Sequence, residues 1–163
     1  MQAIEGAVYR AIMRHQAGAV TVIAVGEPGT RRGLTATAVC SLSDEPPTIL
    51  ACVRRTASAH DEIGRIGAFS VNLLASDQQD VAALFSGRTG VSGEDRFQGE
   101  WATMVTGAPV LSNALASLDC SVSEQHSFAT HTIFIGSVRD GRVRAEAQPL
   151  LYFRGDYWDL GTR

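Results

Sequence analysis

Small apolar and hydroxyl side chains alternate along residues 31–53 in the most unusual pattern of the chain. At the two-residue period of a strand, one row carries Leu34, Ala36, Ala38, Cys40 and Leu42. The other row carries Thr35, Thr37, Val39, Ser41 and Ser43. Core strands usually carry bulky side chains, so this low volume predicts that a flat ring or another backbone lies against the strand. A strand whose hydroxyl groups simply face water would show the same pattern.

The two-residue period of strands and the 3.6-residue period of helices predict the remaining elements. Apolar residues at helical spacing predict helices over 4–12 and 76–85, and a third that Ser58 and Asp61 would cap. Further apolar or alternating runs predict strands over 18–25, 48–53, 69–74, 115–122, 130–138 and 149–158. Asp140 and Gly141 are expected to form a hairpin turn. The fold class expected is mainly β, an antiparallel barrel with short peripheral helices.

Composition adds expectations about domains and partners. The length of 163 residues predicts one domain, 1–163. Residues are 45% hydrophobic and only 19% charged, and the apolar surface that this implies predicts a homodimer. The net charge is −3 and no basic block is present, which argues against a nucleic-acid partner.

The cysteines and the N-terminus bear on location. Cys40, Cys52 and Cys120 lie in strand-like runs without a CxxC pair, which predicts buried thiols in the reducing cytoplasm. The first residues do not resemble a signal peptide, and no apolar run reaches the roughly 18 residues of a membrane span. No metal site is expected, because Cys120, His126 and His131 match no common zinc spacing.

A cluster of cationic and hydroxyl residues follows the strand at 48–53. Arg54, Arg55, Thr56 and Ser58 precede a predicted helix, where free amides, hydroxyl groups and guanidinium groups together suit a phosphate. An ordinary helix cap with solvated arginines would use the same residues. Beside a strand shaped for a flat ring, however, the cluster favours a ligand that carries both a ring and a phosphate.

Two other features bear on ligand binding. Residues 86–93, SGRTGVSG, form a glycine-rich loop that lacks the spacing and the preceding strand of a GxGxxG dinucleotide fingerprint. His131, at the start of a strand, could act as a hydrogen-bond donor or proton relay near a ligand. A histidine satisfied at the rim of a barrel is the alternative.

Several segments resemble one family. GLTATAVCSLSDEPPTILACV is similar to the signature strand pair of the short-chain flavin reductases, the NAD(P)H:flavin oxidoreductase components of two-component monooxygenases such as 4-hydroxyphenylacetate 3-monooxygenase. The resemblance continues in the family's order through FSVNLL, ALFSGRTG, EDRF, GAPVLSNALASLDCSV, HTIFIGSV and PLLYFRGDY. It implies an FMN-binding split barrel, a homodimer with flavin near the interface, and hydride transfer from NADH or NADPH to FMN or FAD.

The resemblance also implies roles for individual residues. The isoalloxazine ring would lie along Thr35, Ala36, Thr37, Ala38 and Val39, with Ser41 nearby. The ribityl chain and phosphate would meet Cys52, Val53, Arg54, Arg55, Thr56 and Ser58. His131 would be the catalytic residue near the nicotinamide, although Thr130 replaces the acidic partner frequent in the family. The pocket or its nicotinamide entrance would be lined by Phe85, Arg88, Arg96 and residues 152–155.

The sequence leaves three functions open. The first is an NAD(P)H-dependent flavin reductase that supplies reduced FMN or FAD to a partner monooxygenase and binds flavin with micromolar affinity. The second is a reductase of the same fold that retains its flavin and passes electrons to an acceptor such as a cobalt corrinoid. The third is a flavin-binding electron carrier without enzymatic activity.

Overall fold

Antiparallel strands are the main secondary structure of the fold, as the sequence predicts. The computed structural model describes residues 2–161. The helices are α1 Gly6–Met13, α2 His60–Ile66 and α3 Gln79–Phe85, with a short 3-10 helix at Gly93–Arg96. The strands are β1 Gly18–Ala19, β2 Thr21–Val25, β3 Arg32–Ala36, β4 Val39–Asp44, β5 Pro47–Arg54, β6 Ala68–Leu73, β7 Trp101–Thr103, β8 Pro109–Leu111, β9 Ala116–Phe128, β10 His131–Val143, β11 Leu151–Phe153 and β12 Asp156–Trp158.

The main sheet has seven strands in the order β3-β2-β6-β9-β10-β5-β4. Strands β3 and β4 are consecutive in the chain and yet occupy its two opposite edges. Only Thr37 and Ala38 join them, so the sheet must curl until its edges come together. The two edges pair with β2 and β5 and not with each other. The result is a split barrel, which confirms the predicted fold class.

The prediction of one continuous strand through this region was wrong. The segment hydrogen-bonds first to β2 and then to β5, so it has to change edges at Thr37 and Ala38. A register shift between Ser41 and Ser43 also interrupts the alternation. The two rows of side chains read from the sequence therefore do not run along two faces of a single strand.

Three other local predictions also differ from the structure. The turn between β9 and β10 lies at Ala129 and Thr130, whereas Asp140 and Gly141 pair with β9 inside the ladder. Ser58 does not cap α2, whose N-cap is Ala59 and receives no side-chain hydrogen bond. The single strand predicted over 149–158 is two short strands, β11 and β12, which form a small separate sheet with β1.

Two hydrophobic clusters meet at β2, whose five residues are all buried. Ile23 and Val25 belong to the cluster inside the barrel, together with Phe69 and Phe134. Val22 and Ala24 point to the other side of β2, where they belong to the cluster that includes Phe85, Phe97 and Leu150. Strand β2 therefore holds α3 and the loop after it against the outside of the barrel, beside β3.

The cysteines are not uniformly buried, contrary to prediction. Cys120 is buried, Cys52 is half-buried and Cys40 is exposed. Burial, with the nearby Asp119, raises the pKa of the Cys120 thiol to about 12.

None of the helices within residues 2–161 has the length and apolarity that a membrane crossing requires.

Candidate functional site

A pocket of about 670 Å³ opens where the two edges of the sheet meet. This volume lies within the range of about 300 to 1,000 Å³ usual for small-molecule sites. One wall is formed by β3 and the turn after it, from Gly33 to Ala38. The facing residues come from the end of β5, the loop before α2, the loop after α3, and His131 at the start of β10. The unpaired gap between β3 and β4 thus provides the space for a ligand.

The wall formed by β3 carries only one side chain larger than threonine, that of Leu34. The Thr35 hydroxyl donates a hydrogen bond of 2.7 Å to the carbonyl of Ala82, which fixes α3 against β3. Thr37 and Ala38, where the chain crosses between edges, are exposed at the pocket. Their small size leaves room for a flat ring to lie against the backbone.

Gly33 shows how tightly one side of this wall is packed. A Cβ atom at Gly33 would lie 2.7 Å from Cε1 of Phe85 and 3.0 Å from the carbonyl oxygen of Ile23. The Phe85 ring cannot easily move, because it is buried and packs edge-on against Phe97 with the ring centroids 5.0 Å apart. Gly33 therefore lets the aromatic ring form the floor of the pocket beside β3.

Cationic and hydroxyl side chains lie on the other walls. Arg54 ends β5, and Thr56 and Ser58 follow it in the loop before α2; all three line the pocket. Arg96 reaches the pocket from the loop after α3, where its Nε atom donates a 2.8 Å hydrogen bond to the carbonyl of Val91. Two guanidinium groups from different elements, together with two hydroxyl groups, form a suitable environment for a phosphate.

Arg55 lines a different cavity, of about 620 Å³, with His60, Asp61 and Thr130. Strand β5 ends at Arg54, and Arg55 lies in the turn that follows, where it lines this cavity and not the first one. Arg54 and Thr56 line both cavities, which therefore adjoin.

His131 lies at the pocket and contacts Thr130. Its Nδ1 atom is 2.9 Å from the Thr130 hydroxyl oxygen, in hydrogen-bond contact. Thr130 therefore occupies the place of the acidic partner that the resemblance implies, but it offers the imidazole a neutral hydroxyl group. His131 pairs with Arg54 across the sheet, which sets the distance between the imidazole and the cationic end of the pocket.

Five of the individual residues predicted to belong to the site do not line this pocket, and neither does the segment 152–155. Val53 is fully buried in the core inside the barrel, and Val39 packs against the same core. Ser41 lies farther along the edge strand β4. Arg88 lines a neighbouring cavity of about 230 Å³ together with Tyr152 and Tyr157. Arg55 lines the separate cavity described above.

The pocket also includes residues that were not predicted to belong to the site. Gly33, Leu34, Ala57, Ser86 and Gly87 line it. The glycine in β3 is the one usable signal among them, because a glycine inside a strand often marks close approach of another group. The others depend on how α3 and the loop before α2 pack against the barrel, which local sequence does not encode.

An ion pair holds the loop after α3 in place. The backbone amide of Arg31 donates to Glu94 Oε2 at 2.8 Å, and the Arg31 Nε atom donates to Oε1 at 2.6 Å. The Arg31 guanidinium group also lies 4.6 Å from the centre of the Phe97 ring. Hydrogen bonding from Arg31 lowers the pKa of the Glu94 carboxyl group. This contact secures the segment that carries Arg96 to the pocket.

Cys52 supplies a neutral thiol to the pocket wall. Burial, and to a smaller extent the nearby Cys40, raises the pKa of the Cys52 thiol. It is therefore protonated near neutral pH and is a poor nucleophile. The pocket offers an uncrowded surface, a cationic end and an imidazole, an arrangement that fits binding of a flat phosphorylated ring better than covalent catalysis.

Comparison with known proteins identifies the family. Residues 13–161 match the flavin reductase like domain. The FMN reductase (NADH) RutF of Pseudomonas syringae is 43% identical over 159 residues, which cover 97% of this chain and 88% of that protein. The FMN reductase (NADH) RutF of Agrobacterium fabrum is 41% identical over 150 residues, covering 91% and 85%.

Solved structures agree with the sequence relatives. BorF, the flavin reductase component of a bacterial two-component tryptophan halogenase, is similar with a TM-score of 0.88 at 32% identity, covering 98% of this chain and 100% of that one. The NADH:FAD oxidoreductase SgcE6 of Streptomyces globisporus, in complex with NAD and FAD fragments, has a TM-score of 0.87 at 26% identity, covering 99% and 98%. The resemblance seen in the sequence is confirmed: the chain belongs to the flavin reductase family and is an oxidoreductase.

Proposed function

We propose that the protein is an NADH-dependent FMN reductase that supplies reduced flavin to a separate flavin-dependent monooxygenase. The observation that carries this proposal is the pocket at the split of the barrel, with small residues at one wall and Arg54, Thr56 and Ser58 at another. The named relatives are FMN reductases that use NADH, and BorF is the reductase component of a two-component halogenase. These names favour NADH and FMN over NADPH and FAD.

FMN, when bound, would supply a ring that accepts a hydride from NADH, and a proton from solvent completes its two-electron reduction. The residues of this chain have positioning roles. Thr35, Ala36, Thr37 and Ala38 leave space at the backbone for the isoalloxazine ring, and Arg54 with Arg96 holds the phosphate. His131 is the candidate catalytic group at the nicotinamide, where its imidazole can donate a hydrogen bond.

The pocket fits this group on a specific structural ground. A Cβ atom at Gly33 would enter the floor formed by Phe85, and threonine or alanine occupies the four positions after Leu34. Among residues 2–161, no carboxylate side chain lines the pocket to repel a phosphate. The residues that line the pocket come from strands, loops and a helix between β3 and β10, which supports the expectation of one domain across 1–163.

Release of the product is the part of the proposal that distinguishes it from a reductase that retains its flavin. Thr37, Ala38 and Arg54 are exposed at the pocket, so the flavin would be bound from one open side. We expect a dissociation constant near micromolar, which corresponds to about −8 kcal/mol.

Anaerobic mixing and steady-state kinetics test the proposal together. Protein loaded with FMN should lose the oxidised-flavin absorbance when NADH is added, and aerobic NADH oxidation by flavin-free protein should depend on added FMN. If the flavin instead survives long dialysis and supports turnover only with an added acceptor, such as a cobalt corrinoid, the retained-flavin alternative is correct. Persistence of the oxidised spectrum under NADH would exclude both.

A homodimer is part of this proposal. Strands β4, β5 and β10 place Leu42, Leu50, Ile133 and Ile135 on the outer side of the sheet, and Leu42 is 51% exposed. The same side carries Cys52, which lines the flavin pocket, so a second copy seated there would border the site. Molar mass from light scattering at several concentrations tests for the dimer, and a monomer mass throughout would contradict it.

The proposed location remains the cytoplasm, whose reducing conditions suit an exposed thiol such as Cys40.

A further inference from the structure

Helix α1 presents its arginine side to the barrel and its apolar side away from it. Val8 and Ile12 are 49% and 58% exposed, and no residue of α1 is buried. Arg10 and Arg14 project from the opposite side of the helix and border a cavity next to the barrel. A surface helix normally has the reverse orientation, with its apolar side against the protein. The orientation of α1 therefore points to a role for the two arginines.

The cavity beneath α1 adjoins the proposed flavin pocket. It measures about 390 Å³, and Arg10, Met13 and Arg14 form one side of it. Thr37 and Ala38 form part of the other side, and these two residues also line the flavin pocket. A ligand that begins at the flavin ring can therefore continue past the Thr37 turn into this second cavity.

The two arginines bring positive charge that nothing nearby neutralises. Within residues 2–161, neither guanidinium group takes part in a salt bridge. Two like charges one helical turn apart repel each other unless an anion lies between them. The whole chain has a net charge of −3, so this pair is a local feature and not part of a generally basic surface.

We propose that Arg10 and Arg14 bind the pyrophosphate of the nicotinamide dinucleotide while its nicotinamide lies over the flavin at Thr37. The inference rests on the proposed reductase function and concerns the second substrate of the same site. A pyrophosphate carries neighbouring negative charges, and guanidinium groups bind phosphate oxygens with paired hydrogen bonds. Met13 and Tyr152, which line the same cavity, offer apolar surface to the rest of the dinucleotide.

The test compares two hydride donors on the double variant Arg10→Ala/Arg14→Ala. NADH carries the pyrophosphate, whereas N-methyl dihydronicotinamide carries the same reacting ring without any phosphate. With saturating FMN, the KM for NADH should rise about tenfold or more, with little change in kcat. The KM for the uncharged donor should be unchanged, as should the dissociation constant of FMN.

Two further variants control the result. Arg65→Ala removes an exposed arginine of α2 that pairs with Glu62, so it changes net charge by one unit away from the site and should leave both KM values unaltered. Arg10→Lys/Arg14→Lys keeps the charge but loses the paired hydrogen bonds, and should restore part of the NADH affinity.

Each remaining outcome is decisive. An equal rise in KM for both donors would mean that α1 shapes the pocket without binding phosphate, and an unchanged KM for NADH would mean that the arginines do not meet the dinucleotide. A weakened FMN affinity would assign them to the flavin; any of these three results overturns the inference. A wild-type protein that oxidises neither donor would instead contradict the proposed reductase function.

Discussion

The middle of the seven-stranded sheet and its two edges use small residues for opposite purposes. In the middle, Gly136 of β10 lies under the buried ring of Phe69, where an added Cβ atom would be 2.7 Å from Cζ. At the edge, Gly33 of β3 lies under Phe85 at an equally short distance, but the space beyond it is the pocket. Where strands are paired on both sides, a missing side chain is filled by the core. At the edge strand, the aromatic ring that fills the same place is the floor of the pocket, and the room for a ligand lies beyond it.

Among the substitutions that test this comparison, Thr37→Leu is expected to have the largest effect, a loss of FMN affinity. Leucine would occupy the volume left for the flavin ring at the turn between the two edges. Overpacking typically costs about 1 to 3 kcal/mol, and at the upper part of that range FMN affinity would fall about a hundredfold. Fluorescence titration with FMN measures the loss, and circular dichroism checks that the fold is intact. Thr103→Leu, at an exposed position of β7, is the matched control; unchanged FMN affinity in Thr37→Leu would place the ring elsewhere.

The two glycines give the next test, because the same substitution is made in both regions. Gly136→Ala should lower the free energy of unfolding by about 1 to 3 kcal/mol through its clash with Phe69, while the folded protein binds FMN normally. Gly33→Ala should displace Phe85 and weaken FMN binding as well. Denaturant unfolding and FMN titration are measured on both variants. If Gly33→Ala binds FMN as tightly as the wild type, the floor of the pocket is not formed by Phe85.

The cationic end of the pocket can be tested with neighbouring arginines. Arg54→Ala should weaken FMN binding about tenfold, the size of one charge-assisted hydrogen bond, but should hardly affect riboflavin, which lacks the phosphate. Arg55→Ala should have a smaller effect on FMN, because Arg55 lines the adjoining cavity. Isothermal titration with both flavins measures this. Equal losses for FMN and riboflavin in Arg54→Ala would contradict a phosphate role.

The smallest effect concerns the ion pair that secures the loop carrying Arg96. The pKa of Glu94 is lowered in the folded protein by Arg31, so the pair contributes stability above the unfolded value of about 4.3 and loses it as pH falls through the folded pKa. Glu94→Gln should therefore flatten this acid-side loss of stability. Urea unfolding at a series of pH values between about 3 and 6 measures it. Glu100→Gln, at an exposed position, should follow the wild-type curve, and the same curve for Glu94→Gln would show that the ion pair contributes nothing.

The sequence predicted the wall of the pocket better than its geometry. The low volume of residues 34–43 was evident from the sequence, because volume at a two-residue period is a local property, and the family resemblance then placed the ring along Thr35 to Val39. The change of edge at Thr37 is not local, since it depends on pairing with β2 and β5. Likewise, β5 ends at Arg54, opposite His131, and this end point depends on pairing with β10; Arg55, in the turn that follows, lines the adjoining cavity.

Turn chemistry explains another error. Asp140 and Gly141 form a common turn pair, but β9 and β10 pair past them through a register shift. The true turn at Ala129 carries a positive φ of 49° without the usual glycine or asparagine. A residue type that is uncommon at such a position leaves no signal in the sequence, so the longer hairpin could only be seen in the structure.

The two-residue crossing between β3 and β4 has a consequence for thermal stability. Because the proposed flavin pocket exists only when the sheet is curled, FMN bound there would bind only the folded protein. Mass action then requires that flavin shift the unfolding equilibrium toward the native state by RT ln(1 + [FMN]/Kd), so the melting temperature must rise with flavin concentration. A higher concentration of FMN in the cell would therefore stabilise the curled sheet further against unfolding.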